Sequence, residues 1–316
     1  MIKAVKFDKE LARIYDETRP IDSEGCCECF RDALQGINGK KDARIVDVGC
    51  GTGRILECLV AGLVRKEQVV GIDVSSAILE VARSKSSLRG VEFHDISVVD
   101  FAKSASNQQM FDVVICHWLF HCLPDWKKVF RACVDLAKPN GVLAWLEEEG
   151  DLYRVLDGMD ASNAPLVRLF EAYYESVNKE LHAHGSEKIA PSVRAGTMVR
   201  CTDDLANELN ALGWNVQTQF KTHRWTRQVT VGWIFESIFE RRVFTNLRRI
   251  PPGINLRAIT KLKQRLGKGR LPKASDIVEL KFWAKAVTAI SSSKPMGEHL
   301  QHQTKNQVVQ TTVGDV

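Results

Sequence analysis

Over residues 45–143, short unbroken apolar runs alternate with stretches in which apolar residues recur every three or four positions. Each such pair reads as a buried strand feeding a helix. The first run, Ile45-Val46-Asp47-Val48, stops at three glycines, Gly49, Gly51 and Gly53. Ile55, Cys58 and Leu59 then fall at helical spacing, with Thr52 as the expected cap. A second run, from Val69 to Asp73, also ends in an acid, and Ser75 opens a helix that turns Ile78, Val81 and Ala82 inward. Residues 91–96, 111–116 and 136–143 continue the series. The intervening helix buries Val129, Phe130, Cys133, Leu136 and Ala137.

The flanking segments follow a different pattern. Residues 4–16 predict a short helix ended by Thr18-Arg19-Pro20, because the residue before a proline is steered away from helix, and residues 23–36 a second one. After residue 150, Leu166, Phe170, Tyr173, Val177 and Leu181 mark one long amphipathic helix, and Leu205, Leu209 and Leu212 a shorter one that starts at Thr202 and stops at Gly213. Residues 215–226 alternate as a sixth strand, residues 232–239 are apolar nearly all round, and residues 277–287 form a seventh strand closing the sheet as an antiparallel partner. The expected fold is α/β: a doubly wound, mostly parallel seven-stranded sheet with helical insertions forming a lid. Its expected parts are N-terminal cap helices (1–40), a ligand-binding core (41–150), a helical insertion (151–200), core again (201–228), a basic helical lid (229–273), the last strand (274–290) and a polar, disordered tail (291–316).

Composition narrows the class. With 44% hydrophobic and 26% charged residues, the 316-residue chain has the make-up of an ordinary globular protein. No apolar run approaches the ~18 residues of a membrane span. The charged N-terminus lacks the apolar region of a secretion signal, so a cytoplasmic location is expected. Nine cysteines, an odd number, read as reduced thiols. Cys26 and Cys29 have C-x-x-C spacing but no second pair at finger spacing, so they read as helix residues packed on the core and no metal site is expected. The net charge of +5 is concentrated: residues 241–273 hold eleven Lys or Arg and no acid. Such a run suits RNA, an anionic small molecule or an acidic carrier protein, or else is the wet face of a helix.

The spacing of the glycines points to a ligand. A dinucleotide turn, G-x-G-x-x-G, would put its third glycine at position 54, where this chain has Arg54. The stretch IVDVGCGTG and the four segments after it, together covering residues 45–147, instead resemble the class I S-adenosylmethionine-dependent methyltransferase superfamily, in particular the ubiquinone-biosynthesis and trans-aconitate small-molecule methyltransferases. By that resemblance residues 91–96 are the third strand, residues 111–116 the fourth, and residues 136–143 a helix end, a turn and the fifth strand. The cofactor it implies is S-adenosyl-L-methionine. It would be held by Asp47, Gly49, Cys50, Gly51 and Gly53 around the turn, by Asp73 and Val74 at the ribose, by Asp95 and Ile96 at the adenine, by Cys116 at the end of the fourth strand, and by Arg19 on the methionine carboxylate.

The resemblance also implies a substrate pocket walled by His117 and Trp118, with Tyr174 and Trp233 from the insertions, and His121 or Glu147 as the group that takes a proton. The implied reaction is methyl transfer to oxygen, nitrogen or carbon of a mid-sized organic small molecule. RNA methylation through the basic segment is the alternative, although Cys116-His117-Trp118-Leu119 stands where an amino-purine enzyme would show an N/D-P-P-Y-like motif. A non-methylating binding or isomerising protein on the same fold is the third reading.

Overall fold

A computed structural model describes residues 9–18, 21–35, 42–62, 64–120, 123–148, 164–188, 202–212, 214, 216–241, 247 and 250–291. In chain order the elements are α1 (Lys9–Thr18), α2 (Ser23–Gln35), β1 (Ile45–Val48), α3 (Arg54–Gly62), β2 (Val69–Asp73), α4 (Ser76–Ser84), β3 (Glu92–Asp95), α5 (Val98–Phe101), β4 (Phe111–His117), α6 (Trp126–Leu136) and β5 (Ala137–Glu148). They continue as α7 (Ala164–Ala183), α8 (Thr202–Ala211), β6 (Val216–Thr230), α9 (Val231–Ile234) with a π-helical turn (Phe235–Glu240), α10 (Pro252–Lys263) and β7 (Ile277–Ser291). The sheet has seven strands in the order β3-β2-β1-β4-β5-β7-β6. Only β7 runs against the others.

Successive strand residues face opposite sides, and the two sides build two cores. Val46, Val48, Val114, Cys116, Leu143 and Trp145 pack with Phe130 of α6 and with Leu205 and Leu209 of α8. Ile45, Val113, Ile115, Ala144 and Leu146 pack with Phe30 of α2, Leu56 of α3 and Leu79 of α4. A strand buried on both faces reads as continuously apolar, which is why the central strands were legible as unbroken runs.

The last hairpin overshoots the sheet. β6 and β7 pair along their full lengths, whereas β5 reaches only as far as the pair Glu148↔Ala284. Residues 224–230 and 277–283 therefore continue past the carboxyl end of β5. A third core is built on that overhang, joining Val229, Val278 and Leu280 to Leu169, Phe170 and Tyr173 of α7, Phe235 and Phe239 of the π turn, Ala258 and Leu262 of α10, and Leu11 of α1. At its centre Tyr173 stacks on Phe239 with ring centroids 4.0 Å apart. The Tyr173 hydroxyl donates to Asn255 Oδ1 at 2.5 Å, and Asn255 Nδ2 donates to the Phe239 carbonyl at 2.9 Å. Tyr173→Phe removes one donor from a buried amide oxygen, and urea denaturation is expected to find the variant less stable by about 1–3 kcal/mol.

Several local expectations are corrected. Thr52 does not cap α3; its hydroxyl donates to Asp16 of α1. Leu79 rather than Val81 is buried on α4, and Leu212 is only half-buried. β6 runs four residues beyond its expected end because β7 continues to pair with it up to Thr230↔Ile277, and Thr230 then caps α9 by accepting from the Trp233 amide. The apolar run at 232–239 is part of the third core, since Ile234, Phe235, Ile238 and Phe239 are buried there. The expected disordered tail, from residue 292 onward, lies outside the described residues.

Candidate cofactor-binding site

In an open α/β sheet a ligand sits beyond the carboxyl ends of the strands where the strand order reverses, here between β1 and β4. The turn after β1 lies at that point. Gly49, Gly51 and Gly53 have φ of 73°, 56° and 72°, a region that favours residues without a Cβ. Their surroundings differ. A Cβ on Gly49 would stand 2.8 Å from Leu119 Cδ1 and one on Gly53 2.4 Å from Leu88 Cδ1, whereas one on Gly51 would meet nothing nearer than Ile78 Cδ1 at 3.8 Å. Of the three, only Gly51 would hold a Cβ without crowding any described side chain.

Asp73 reaches this turn from the end of β2. Its Oδ2 accepts from the Gly51 amide at 3.1 Å and its Oδ1 from the Ser75 amide at 2.9 Å. Burial raises its pKa above the ordinary value despite those two amides. Beside it Val74 is 53% exposed, one of the few large apolar side chains left uncovered. Ile96 contributes its backbone, donating to the Asp73 carbonyl at 3.1 Å, and Asp95 is exposed at the end of β3.

Across the reversal point, His117 Nε2 lies 3.2 Å from Asp47 Oδ2. Asp47 is fully buried, and its Oδ1 has no partner among the described residues. A buried carboxylate oxygen without a donor is costly, so this atom is the clearest sign of a missing cationic or hydrogen-bonding ligand. Burial alone would lower the His117 pKa; the carboxylates of Asp47, Glu147 and Asp73 outweigh it and raise the pKa above the ordinary 6.5.

A histidine raised in this way stabilises the fold fully below its ordinary pKa and loses that contribution as pH climbs through the raised value. Asp73 adds a cost of the same sign at lower pH, since an acid with a raised pKa destabilises the fold as it ionises. The Tm advantage of the parent over His117→Asn is therefore expected to shrink as pH rises from 6.5 upward. An advantage constant over that range would contradict the pairing.

The other predicted residues divide. Trp118, also left-handed at φ 47°, stands edge-on to His117 with ring centroids 5.9 Å apart, so the two rings lie side by side. The Cys50 thiol is buried and pushed well up in pKa by that burial, and the buried Cys116 thiol lies 3.7 Å from Cys133, so both residues can offer the site only backbone. Glu147 is 2% exposed, and one of its oxygens accepts the Leu119 and Phe120 amides at 3.0 and 2.8 Å. Tyr174 is buried in the third core. Trp233 is half-buried, with the Arg227 guanidinium 4.8 Å over its ring. Arg19 and His121 lie outside the described residues.

Three further observations bear on the early expectations. Cys26, Cys27 and Cys29 are buried, burial pushes the Cys27 thiol up to about 12, and no described group of three or more His, Cys, Asp and Glu residues is arranged to hold a metal. Within the basic segment, Arg257 and Lys261 both pair with Glu180 of α7, and Lys263 pairs with Glu240. No described helix is long and apolar enough to cross a membrane.

One contributor was missed entirely. Asp16 of α1 receives the Thr52 hydroxyl at 2.5 Å, the Arg54 guanidinium at 3.3 Å and the Lys85 ammonium at 2.8 Å, fastening α1 to the glycine turn. Because Leu11 of the same helix lies in the third core, α1 links that core to the turn. A separate cleft of about 970 Å³, lined by Val99, Lys103, Trp126 and Arg131 among others, opens between α5 and α6 and includes none of the predicted site residues.

Residues 46–143 match the family model of a methyltransferase domain. The ubiquinone biosynthesis O-methyltransferase of Histophilus somni is 35% identical over 113 residues, 34% of this chain and 46% of that protein. The protein of the same description from Alkalilimnicola ehrlichii is 33% identical over 150 residues, covering 44% and 56% respectively. The chain thus spans about half the length of the curated relatives it matches. Among solved structures, the YcgJ protein of Bacillus subtilis aligns with 83% of this chain and 99% of its own at 15% identity, with a TM-score of 0.44.

Proposed function

We propose that this chain, which belongs through residues 46–143 to the class I S-adenosylmethionine-dependent methyltransferase superfamily, transfers a methyl group to oxygen, nitrogen or carbon of a mid-sized organic small molecule. The observation that carries the reading is the pairing of an uncrowded, left-handed Gly51 with the Asp73 carboxylate, beside a buried Asp47 oxygen that has no donor among the described residues. These residues fit the cofactor. Asp73 would take the ribose hydroxyls, Val74 the adenine face, the glycine turn the close approach of backbone, and Asp47 the ammonium of the methionine moiety. When bound, S-adenosylmethionine supplies a methyl already activated on a sulfonium.

The chain's own task is then to position and to exclude water. Holding an acceptor in line can account for roughly 7–11 kcal/mol of a barrier, so a dedicated base is not required of every acceptor. Trp118 and Leu119 offer an apolar surface beside the turn, which favours an apolar acceptor with few polar anchors. The relatives' description as O-methyltransferases of ubiquinone biosynthesis puts oxygen first among acceptor atoms. An RNA acceptor rested on the basic segment, and the pairing of Arg257, Lys261 and Lys263 with acids weakens that support.

The test is to incubate the protein with methyl-labelled S-adenosylmethionine and a panel of phenols, amines and carbon acids, following label and mass. Methylated product from at least one small acceptor is expected. Label passing only into RNA, with a steep loss of affinity as salt rises, would favour the nucleic-acid reading. Cofactor binding with no transfer to any acceptor would favour a non-methylating protein.

A further inference from the structure

Glu147 stands at the end of β5, where a carboxylate would be expected to face a substrate, yet it is 2% exposed and its Oε1 accepts two successive backbone amides, Leu119 at 3.0 Å and Phe120 at 2.8 Å. Those amides come together because the chain turns sharply after β4. The Trp118 amide makes a last ladder bond to the Leu146 carbonyl at 2.9 Å, and the left-handed backbone of Trp118 then swings the next two N–H groups toward β5. A charged acceptor makes the stronger kind of hydrogen bond, and two such bonds offset the burial of the carboxylate. The segment so pinned carries Leu119, whose Cδ1 occupies the space beside Gly49, and Trp118, which meets His117 edge-on.

We infer that Glu147 is a positioning residue: through the Leu119 and Phe120 amides it sets the wall of the cleft against the glycine turn, and so sets cofactor affinity, rather than taking a proton from the acceptor. This deepens the methyltransferase reading and rests on it for the identity of the ligand. The placement explains why an acceptor oxygen on a side chain of this length is used here. A single oxygen must accept both amides, which a glutamine oxygen can also do, whereas alanine offers no acceptor and aspartate falls one methylene short.

The experiment compares Glu147→Gln, Glu147→Asp and Glu147→Ala by amide hydrogen exchange at Leu119 and Phe120 and by calorimetric titration with S-adenosylmethionine. Glu147→Gln is expected to keep both amides protected and the Kd within about threefold of the parent. Glu147→Asp and Glu147→Ala are expected to exchange the two amides at least about 100-fold faster and to weaken cofactor binding about tenfold or more. If the alanine variant does not fold, the glutamine and aspartate pair decides. Amides that stay protected in the aspartate variant, or a glutamine variant as impaired as it, would overturn the assignment. If the parent itself fails to bind S-adenosylmethionine, the cofactor reading falls while the exchange arm still tests the contact.

Discussion

Replacing Asp73 with alanine is expected to weaken S-adenosylmethionine binding by about 100-fold or more, because hydrogen bonds to a charged group contribute about 1.5–3 kcal/mol each and a ribose offers two. Stability should move much less, and this separates binding from folding. The Asp73 carboxylate is half-buried and its pKa is raised by its partial removal from water, so its charged form costs the fold something at neutral pH. Removing it relieves that cost and leaves the Gly51 and Ser75 amides without their acceptor. The two changes oppose, and the net is expected within about 1 kcal/mol. Calorimetric titration and a urea melt on the same variant check both halves. A variant that binds as tightly as the parent would remove Asp73 from the site.

Substituting Gly51 with alanine is the second large effect, and Gly53→Ala is its control. At Gly51 an added Cβ meets no protein atom closer than 3.8 Å, so the fold bears only the strain of a left-handed alanine, about 1–2 kcal/mol. The new methyl instead stands where a ligand would approach, and overpacking there is expected to cost about 1–3 kcal/mol of affinity, roughly 5- to 150-fold. At Gly53 the same methyl would lie 2.4 Å from Leu88 Cδ1, so that variant is expected to lose mainly stability. Titration of both variants, with melts alongside, gives the comparison. Equal losses of affinity and stability at the two positions would mean that the space at Gly51 is not a ligand cradle.

Much of this was legible because it is local. A strand buried on both faces, an acid at its end and glycines at alternate positions are neighbours in sequence, so β1, β2, the turn and Asp73 could be read from local pattern, and β4 from its likeness to the family's fourth strand. What was not legible depends on contacts between distant segments. Thr52 looked like a helix cap because nothing near it indicates that Asp16, 36 positions earlier, takes its hydroxyl. Nothing near Glu147 in sequence indicates that the amides of Leu119 and Phe120, which belong to another strand's turn, donate to it. The partners of the aromatic run around Phe235 were not legible either, since an apolar helix face carries the same pattern whatever it packs on, here a core shared with α7 and α10. The overshoot of the β6–β7 hairpin, on which that core is built, follows from a register that no single strand contains.

The central claim is that the space between the glycine turn and Asp73 holds an adenosyl ligand, and a crystal structure with S-adenosylhomocysteine tests it most directly. Both ribose hydroxyls are expected within hydrogen-bonding distance of the Asp73 carboxylate, with the adenine against Val74 and the amino group beside Asp47. The same compound seated in the cleft between α5 and α6, with the glycine turn left empty, would contradict it.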